Sequence, residues 1–502
     1  MQNIKKRSAL RVLLLLGMAL LLPCFLFTVG NVLLSSWPLY GRSRLALCLL
    51  TPFCLLLILL LFRLSGPLAR LLQGHERAAL IGFAALYFVL QTALGLCLRH
   101  VPITDAEQCV TAAELLCDAG TFSTSERACI YFSRYPFNLG YVYLLSFLFR
   151  FCGIFGLTDR YAQMVVAAAL LFSAGLAASA KLARRLAGPA GEARLLLLFA
   201  LCLPFYTCAA ECYTDVFALA FPPLILLAYA KAAEAENRKQ RVLHAVLFGL
   251  LTFLGMQLRM TAAIASLACG LQALFEKRFR ALLCCLAAVM LFCIPGNALV
   301  NAENERHLGA EQLEKNRLPI WHWVAMGLPV QEDQGYGQYG DGGWLLFSTS
   351  FEDPSARSAA LLSEIRDRVY YLRYPDRFLN LLSRKNLASF GDGTFGLQAA
   401  VEADEKTPDN PVKQFFFTEG RLHTAYQHLC TALLMSGILL CCLALLQALR
   451  REDTRPSALF ITLLGVFLYL CMWETLARYF FMFQMVLLIG GARFSPEAPR
   501  AA

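Results

Sequence analysis

The sequence predicts an all-α polytopic membrane protein of about twelve transmembrane helices, with juxtamembrane helices and a mixed external domain. Three observations predict it. Of 502 residues, 58% are hydrophobic and 16% charged, with a mean hydropathy of +0.55; a soluble domain of this length cannot hide so much apolar side chain, so a bilayer is its solvent. Apolar runs recur at lengths of about 17–24 residues, enough for a helix to cross a hydrocarbon core. These runs lack the period-two alternation of a closed barrel. The net charge of +10 lies in short basic clusters between apolar runs. That is the pattern of cytoplasmic loops and not of a nucleic-acid-binding face.

Taken in order, the apolar candidates are residues 10–34, 45–62, 78–98, 137–155, 161–180, 195–210, 216–230, 242–255, 261–275, 281–300, 426–449, 457–473 and 479–491. Lys5-Lys6-Arg7 before the first run suits a signal peptide as well as an anchor. Pro23 and Cys24 interrupt the run and no small-residue cleavage site follows, so it reads as the first span. The basic clusters 231–241 and 276–280 flank a hairpin of two apolar runs, which places both clusters in the cytoplasm and the Gln257–Met260 turn outside. Forward from there, 301–425 is external, 450–455 internal, 474–478 external and the C-terminus internal. Backward, residues 212–215 are external and the basic stretch 181–194 is a cytoplasmic loop, which puts 156–160 outside. Counting from Lys5, residues 100–135 are external too, which leaves both ends of 137–155 outside. That run is expected to lie along the membrane as a juxtamembrane or re-entrant helix.

The resulting divisions are 1–98, N-terminal transmembrane helices; 99–160, a first external loop with juxtamembrane helices; 161–300, a central bundle; 301–425, an external domain; and 426–502, C-terminal helices. In the first loop Ala113, Leu116 and Cys117 have helical spacing, and Cys109, Cys117 and Cys129 are candidates for a disulfide. In the larger one, a helix is expected over 355–373 with Leu361, Leu362, Ile365, Val369 and Leu372 on one face.

Polar groups at the expected boundary between membrane and external water are the candidates for chemistry, because a charge within a span costs about 2.5–3.5 kcal/mol. Asp105 and Glu107 emerge directly after the third span; they can supply a general base or hold a divalent cation, the one cofactor the sequence suggests. The blander reading is a helix start, with Thr104 or Asp105 as cap. Arg134-Tyr135-Pro136-Phe137-Asn138-Leu139-Gly140 opens the juxtamembrane helix; it suits a lipid phosphate and equally an aromatic belt. Gln257-Leu258-Arg259-Met260-Thr261 reads as a helix break with Arg259 at the water line, against a merely snorkelling arginine. In Trp473-Glu474-Thr475-Leu476-Ala477-Arg478-Tyr479, Glu474 and Arg478 are spaced to pair on a helical turn. Trp321-His322-Trp323 and Gly340-Asp341-Gly342-Gly343-Trp344 suit stacking on sugar rings, and equally a domain core. His322, His423 and His428 lack metal-ligand spacing.

Together these positions resemble the GT-C superfamily of membrane glycosyltransferases, specifically bacterial relatives of the protein O-mannosyltransferases and the lipid A aminoarabinose transferases. The resemblance rests on the acid opening the first external loop, the Tyr-Pro-x-Asn-x-Gly stretch and Phe155-Gly156. It also rests on Tyr213-Thr214-Asp215, Arg259 with Thr261, Glu474-x-x-x-Arg478-Tyr479, Trp323-Val324-Ala325-Met326-Gly327-Leu328 and Asp392-Gly393-Thr394-Phe395. It covers the chain from about Val101 onward, by order and topology. Two departures are plain: the family often has Lys-Pro where this chain has Arg259-Met260, and Ala106 separates acids that are adjacent in the eukaryotic enzymes.

The resemblance implies an inverting transfer of sugar from a polyprenyl-phosphate donor to an acceptor hydroxyl on a glycan, lipid or protein, at the outer face of the cell membrane. Asp105 is then the catalytic general base. Glu107, Arg134, Tyr135, Asn138, Asp215, Arg259, Glu474, Arg478 and Tyr479 are substrate-binding candidates, with no metal ligand assigned. A transporter or flippase of a lipid-linked or small-molecule substrate is the rival reading, although no repeat symmetry or midplane charge is evident; a non-catalytic scaffold comes third.

Overall fold

A computed structural model describes residues 9–36, 39–41, 43–329, 335–339, 343–402 and 410–496. Lys5 to Arg7 and the Gly340-Asp341-Gly342 part of the glycine-rich stretch lie outside the described residues. The chain is helical throughout its membrane region. Among the described residues nine helices are long and apolar enough to cross a bilayer, and Met260–Phe275 and Ser457–Met472 are shorter apolar helices. The long ones include α1 (Ala9–Leu34), α2 (Arg44–Leu71) and α3 (Glu76–Cys97). After a two-residue strand β1 (Val101–Pro102) come α4 (Thr104–Ala119), α5 (Glu126–Arg134) and α6 (Leu139–Ile154). The central bundle holds α7 (Arg160–Leu201), α8 (Thr214–Glu234), α9 (Arg238–Leu258), α10 (Ala263–Phe275) and α11 (Phe279–Leu308).

The basic stretch 181–194, expected as a loop, holds a turn between two helices. Residues 160–201 leave helical geometry at Ala187 and Gly188, just before Pro189, and the two arms double back side by side, with the Phe172 and Phe199 rings 6.1 Å apart and Arg184 donating to Glu192 at 2.9 Å. Proline cannot donate within the helix and its ring crowds the preceding turn, which is sufficient cause for the break. α6 is amphipathic in its packing: Leu139, Val142, Leu145 and Phe149 are buried while Phe147, Phe151 and Ile154 are exposed. α11 runs unbroken through Asn301 as far as Leu308, so the bundle continues as helix into the stretch expected to be external.

That stretch contains α12 (Ile320–Met326), α13 (Pro354–Tyr371), α14 (Pro375–Phe390) and a short strand β2 (Val401–Glu402), which pairs antiparallel with β1. The helix expected over 355–373 is present, but its buried face differs. Leu361 packs with Ala325, Met326 and Trp344, whereas Leu362 and Val369 are 43% and 56% exposed. Arg368 is buried in their place, its guanidinium 4.4 Å from the Trp344 ring and donating to the Leu328 carbonyl at 2.6 Å. Hydrophobic spacing could not reveal that an arginine stacked on tryptophan occupies the inward face. The chain closes with α15 (His423–Arg450), α16 (Ser457–Met472), α17 (Arg478–Phe481) and α18 (Gln484–Ala492). All nineteen cysteines are unpaired, and Cys109 is buried on the inner face of α4.

Candidate functional site

Four segments distant in sequence meet above the bundle: the start of α4, the turn before α8, the break after α9, and the segment joining α16 to α17. Each is a place where a helix is interrupted. At the first, Thr104 has φ 54°, a left-handed conformation that a β-branched residue adopts only under strain, costing about 1–3 kcal/mol. The N-cap position falls on Ile103 with no side-chain hydrogen bond, so neither Thr104 nor Asp105 caps the helix. Asp105 points instead at the other segments: it accepts from the Tyr213 hydroxyl at 3.5 Å and lies 3.7 Å from Arg478 Nη2, with its side chain 41% exposed.

Asp215 is the buried counterpart, 1% exposed in the first turn of α8. Both of its carboxylate oxygens accept from Arg259 Nη2, and Arg478 Nε is 3.7 Å away. Arg259 leaves helical geometry at φ −149°, ψ 116°, ending α9 before a 3-10 turn over Met260–Ala262. The expected helix break is therefore present. Gly140 sets how closely α6 approaches it, since a Cβ there would lie 2.3 Å from the Gln257 carbonyl oxygen. The two guanidiniums share aromatic walls: Arg259 is 4.8 Å from the Tyr479 ring centroid and Arg478 is 5.1 Å from that of Tyr213. Arg259 Nε and Arg478 Nε are buried donors with no hydrogen-bond acceptor among the described residues.

The Glu474–Arg478 helical pair expected from spacing does not form. Residues 474–476 are irregular and not helical, and Arg478 turns to Asp215 and Asp105. Glu474 is 5% exposed; burial pushes its carboxyl up to about 6 even though Tyr479 and Arg478 favour the ionised form. The segment is held from outside by Lys385 on α14, which donates to the carbonyls of Trp473 at 2.5 Å and Gly327 at 2.6 Å. Gly327 has no room for a side chain here, because a Cβ would sit 2.5 Å from the Trp473 carbonyl carbon. Burial pushes the Lys385 ammonium down to about 7.

The remaining candidates are placed around this centre. Glu107 faces away and pairs with Arg127 through both oxygens, at 3.0 and 2.9 Å. Asn138 donates to the Tyr131 hydroxyl at 2.8 Å, and Tyr131 in turn approaches Asp105. Tyr135 meets the Tyr339 hydroxyl at 3.2 Å and the Trp323 ring at 5.9 Å. Arg134 is half-buried beside it with its carbonyl accepting from Leu318 N at 3.2 Å. His322 and Trp344 are buried, as a domain core requires, while Trp323 is half-buried against Tyr135 and Phe137. Asp392 is spent on its own turn, accepting from Thr394 N at 2.9 Å and Gly396 N at 3.0 Å.

Two site residues escaped sequence reasoning. Glu211 is 1% exposed and neither carboxylate oxygen has a partner among the described residues; burial, and then Asp215, raise its pKa well above the ordinary range. Its only sequence signal is a carboxylate four residues before Asp215 within an apolar stretch. Lys385 carries no such signal, since Ser383-Arg384-Lys385-Asn386 reads as an exposed helix face. Among the described residues no group of three or more His, Cys, Asp or Glu is arranged to hold a metal ion. The positive charge between Asp105 and Asp215 is the Arg478 guanidinium.

Fold and site thus define a polytopic membrane protein with an acid–arginine centre at one end of its bundle. The model of a family described as conserved hypothetical integral membrane protein matches residues 8–498, and the chain belongs to that family. No curated protein matches the sequence. Among solved structures, ArnT from Cupriavidus metallidurans bound to undecaprenyl phosphate is similar at 15% identity and TM-score 0.41, covering 83% of this chain and 77% of that one. The apo state of the same protein is similar at 15% identity and TM-score 0.39, covering 83% and 78%.

Proposed function

We propose that this protein transfers a sugar from a polyprenyl-phosphate donor to an acceptor hydroxyl at the outer face of the cell membrane. The observation that carries the reading is the pair of arginines, Arg259 and Arg478, gathered on buried Asp215 directly beneath half-exposed Asp105. Arginine stays charged at an interface, and its planar fork suits phosphate oxygens. The spare Nε donors of both arginines supply such bonds. Asp215 fixes the guanidiniums before substrate arrives, so they need not reorganise during reaction.

In this reading the acceptor oxygen attacks the anomeric carbon as the bond from that carbon to the phosphate oxygen breaks. The electron pair of that bond leaves with the phosphate, whose growing charge the arginines stabilise. The acceptor proton passes to Asp105, which is exposed enough to meet a hydroxyl and is steadied by Tyr213 and Arg478. Attack from the face opposite the leaving phosphate inverts the anomeric centre. Trp323, Tyr135 and Phe137 offer an aromatic wall for the acceptor. Membranes containing the protein, assayed against a panel of polyprenyl-phosphate sugars, are expected to consume one donor and release polyprenyl phosphate. Consumption of none of them, with the donors shown to reach the outer leaflet, would remove the reading.

A further inference from the structure

A second charged centre lies at the other end of the bundle. α1 runs from Arg11 to Asn31, which donates to the Ser383 carbonyl of α14 at 2.8 Å, and the chain from Arg478 through α18 ends at Arg493. Both therefore lead from the acid–arginine side to an opposite end, where a cavity of about 620 Å³ opens. Five arginines line it, Arg11, Arg194, Arg451, Arg455 and Arg493, against two carboxylates, Glu452 and Asp453. The arginines come from the start of α1, the second arm of kinked α7, the α15–α16 turn and the end of α18, so folding assembles the cluster from four places.

Most of these guanidiniums are already positioned. Arg11 donates to the Glu452 carbonyl at 2.8 Å and Arg194 to the Ala492 carbonyl at 2.7 Å. Asp453 takes Arg455 at 2.8 and 3.0 Å and also takes Arg493. Glu452 has φ 51°, a left-handed turn that carries Arg451 and Asp453 into the lining. What remains is an excess of donors: Arg493, its side chain 10% exposed, keeps a buried Nε with no acceptor among the described residues, and Arg451 has no side-chain partner there. Snorkelling arginines at a basic membrane end point outward into water. Here Arg194 and Arg493 are buried in the cavity wall while Arg11, Arg451 and Arg455 stand exposed at its open side, and the buried charges are costly until an anion enters.

We infer that the cavity lined by Arg11, Arg194, Arg451, Arg455 and Arg493 is a binding site for a phosphate-bearing ligand, separate from the acid–arginine centre. Fixed guanidinium forks match phosphate oxygens, and the volume exceeds that of a bare phosphate ion. A phospholipid headgroup entering from the leaflet and a soluble phosphate compound entering from water offer the same chemistry.

The test uses the full chain, delipidated in neutral detergent, with bound mass counted by native mass spectrometry. One arm adds phosphatidylglycerol, a second adds inorganic phosphate and pyrophosphate without lipid, and phosphatidylcholine with its cationic choline is the comparison. One saturable adduct in either of the first two arms is expected, and the arm that gives it names the source. Arg451→Gln, which breaks no ion pair, is expected to weaken that adduct at least about tenfold. Arg493→Gln is expected to weaken it further, and Arg238→Gln on another exposed basic turn to leave it unchanged. No saturable adduct in either arm, or equal loss in Arg451→Gln and Arg238→Gln, would overturn the assignment.

Discussion

Replacing Asp215 with asparagine keeps its volume and removes the one carboxylate that both buried arginines share. Arg259 and Arg478 are then left 21% and 15% exposed with no ion-pair partner but Asp105, 3.7 Å from Arg478 alone, since Glu211 pairs with neither and its burial favours the protonated form. Breaking a buried ion pair from one side costs about 3–5 kcal/mol, and the residual exposure places Asp215→Asn near the lower end of that range. For a chain of this length about 3 kcal/mol corresponds to a fall of roughly 3 °C in the unfolding midpoint. Arg259→Gln alone removes the closer of the two partners of Asp215 and costs a similar amount, whereas the double variant leaves only Arg478 without its carboxylate. The double variant is therefore expected to be more stable than the sum of the single effects by about 1–3 kcal/mol, as contacting residues couple. Fluorescence-monitored melting of the purified protein in detergent measures all three. Strictly additive losses would refute the claim that this carboxylate holds these guanidiniums.

Three further outcomes are expected. Gly140→Ala drives a Cβ into the Gln257 carbonyl, so it should lower the melting midpoint by an amount corresponding to about 1–3 kcal/mol, and an unchanged midpoint would show that the α6–α9 approach is loose. Glu474 holds its proton up to about pH 6 when folded, against an ordinary value of 4.5, so the unfolded chain releases that proton first. Stability relative to Glu474→Gln should therefore fall by about 2 kcal/mol as pH rises from 4.5 through 6, then level off; a flat difference in midpoint across that window would contradict the burial argument. Finally, if α6 lies along the membrane, Ser133→Cys and Thr158→Cys in a cysteine-depleted background should react with an impermeant thiol reagent from the same side, and reaction from opposite sides would make α6 a span.

Much of this architecture was legible because the bilayer imposes a simple rule: a crossing helix must be long and apolar, and α1, α3, α9 and α15 announce themselves by length alone. The break at Arg259 was legible for the same reason, a cation where a span should continue. Spacing along one segment said less about partners. Glu474 and Arg478 stand four apart, but the chain between them is not helical, and two carboxylates from other segments compete for the arginine. Buried Glu211 and Lys385 were invisible because their environments are built by residues distant in sequence, Arg259 and Arg478 for the first and Trp473 for a side of the second. The turn within 181–194 was legible from its basic residues, and Gly188 and Pro189 fix where the chain doubles back.

The central claim is that Asp105 takes the acceptor proton while Arg259 and Arg478 hold the departing phosphate. Single-turnover transfer in reconstituted vesicles, with donor binding measured in parallel, tests it most directly. Asp105→Asn is expected to bind donor normally and to lose at least about a hundredfold in rate, within the usual contribution of a general base. Glu107→Gln, which loosens only the Arg127 pair, should lose far less. Near-normal transfer by Asp105→Asn would contradict the account.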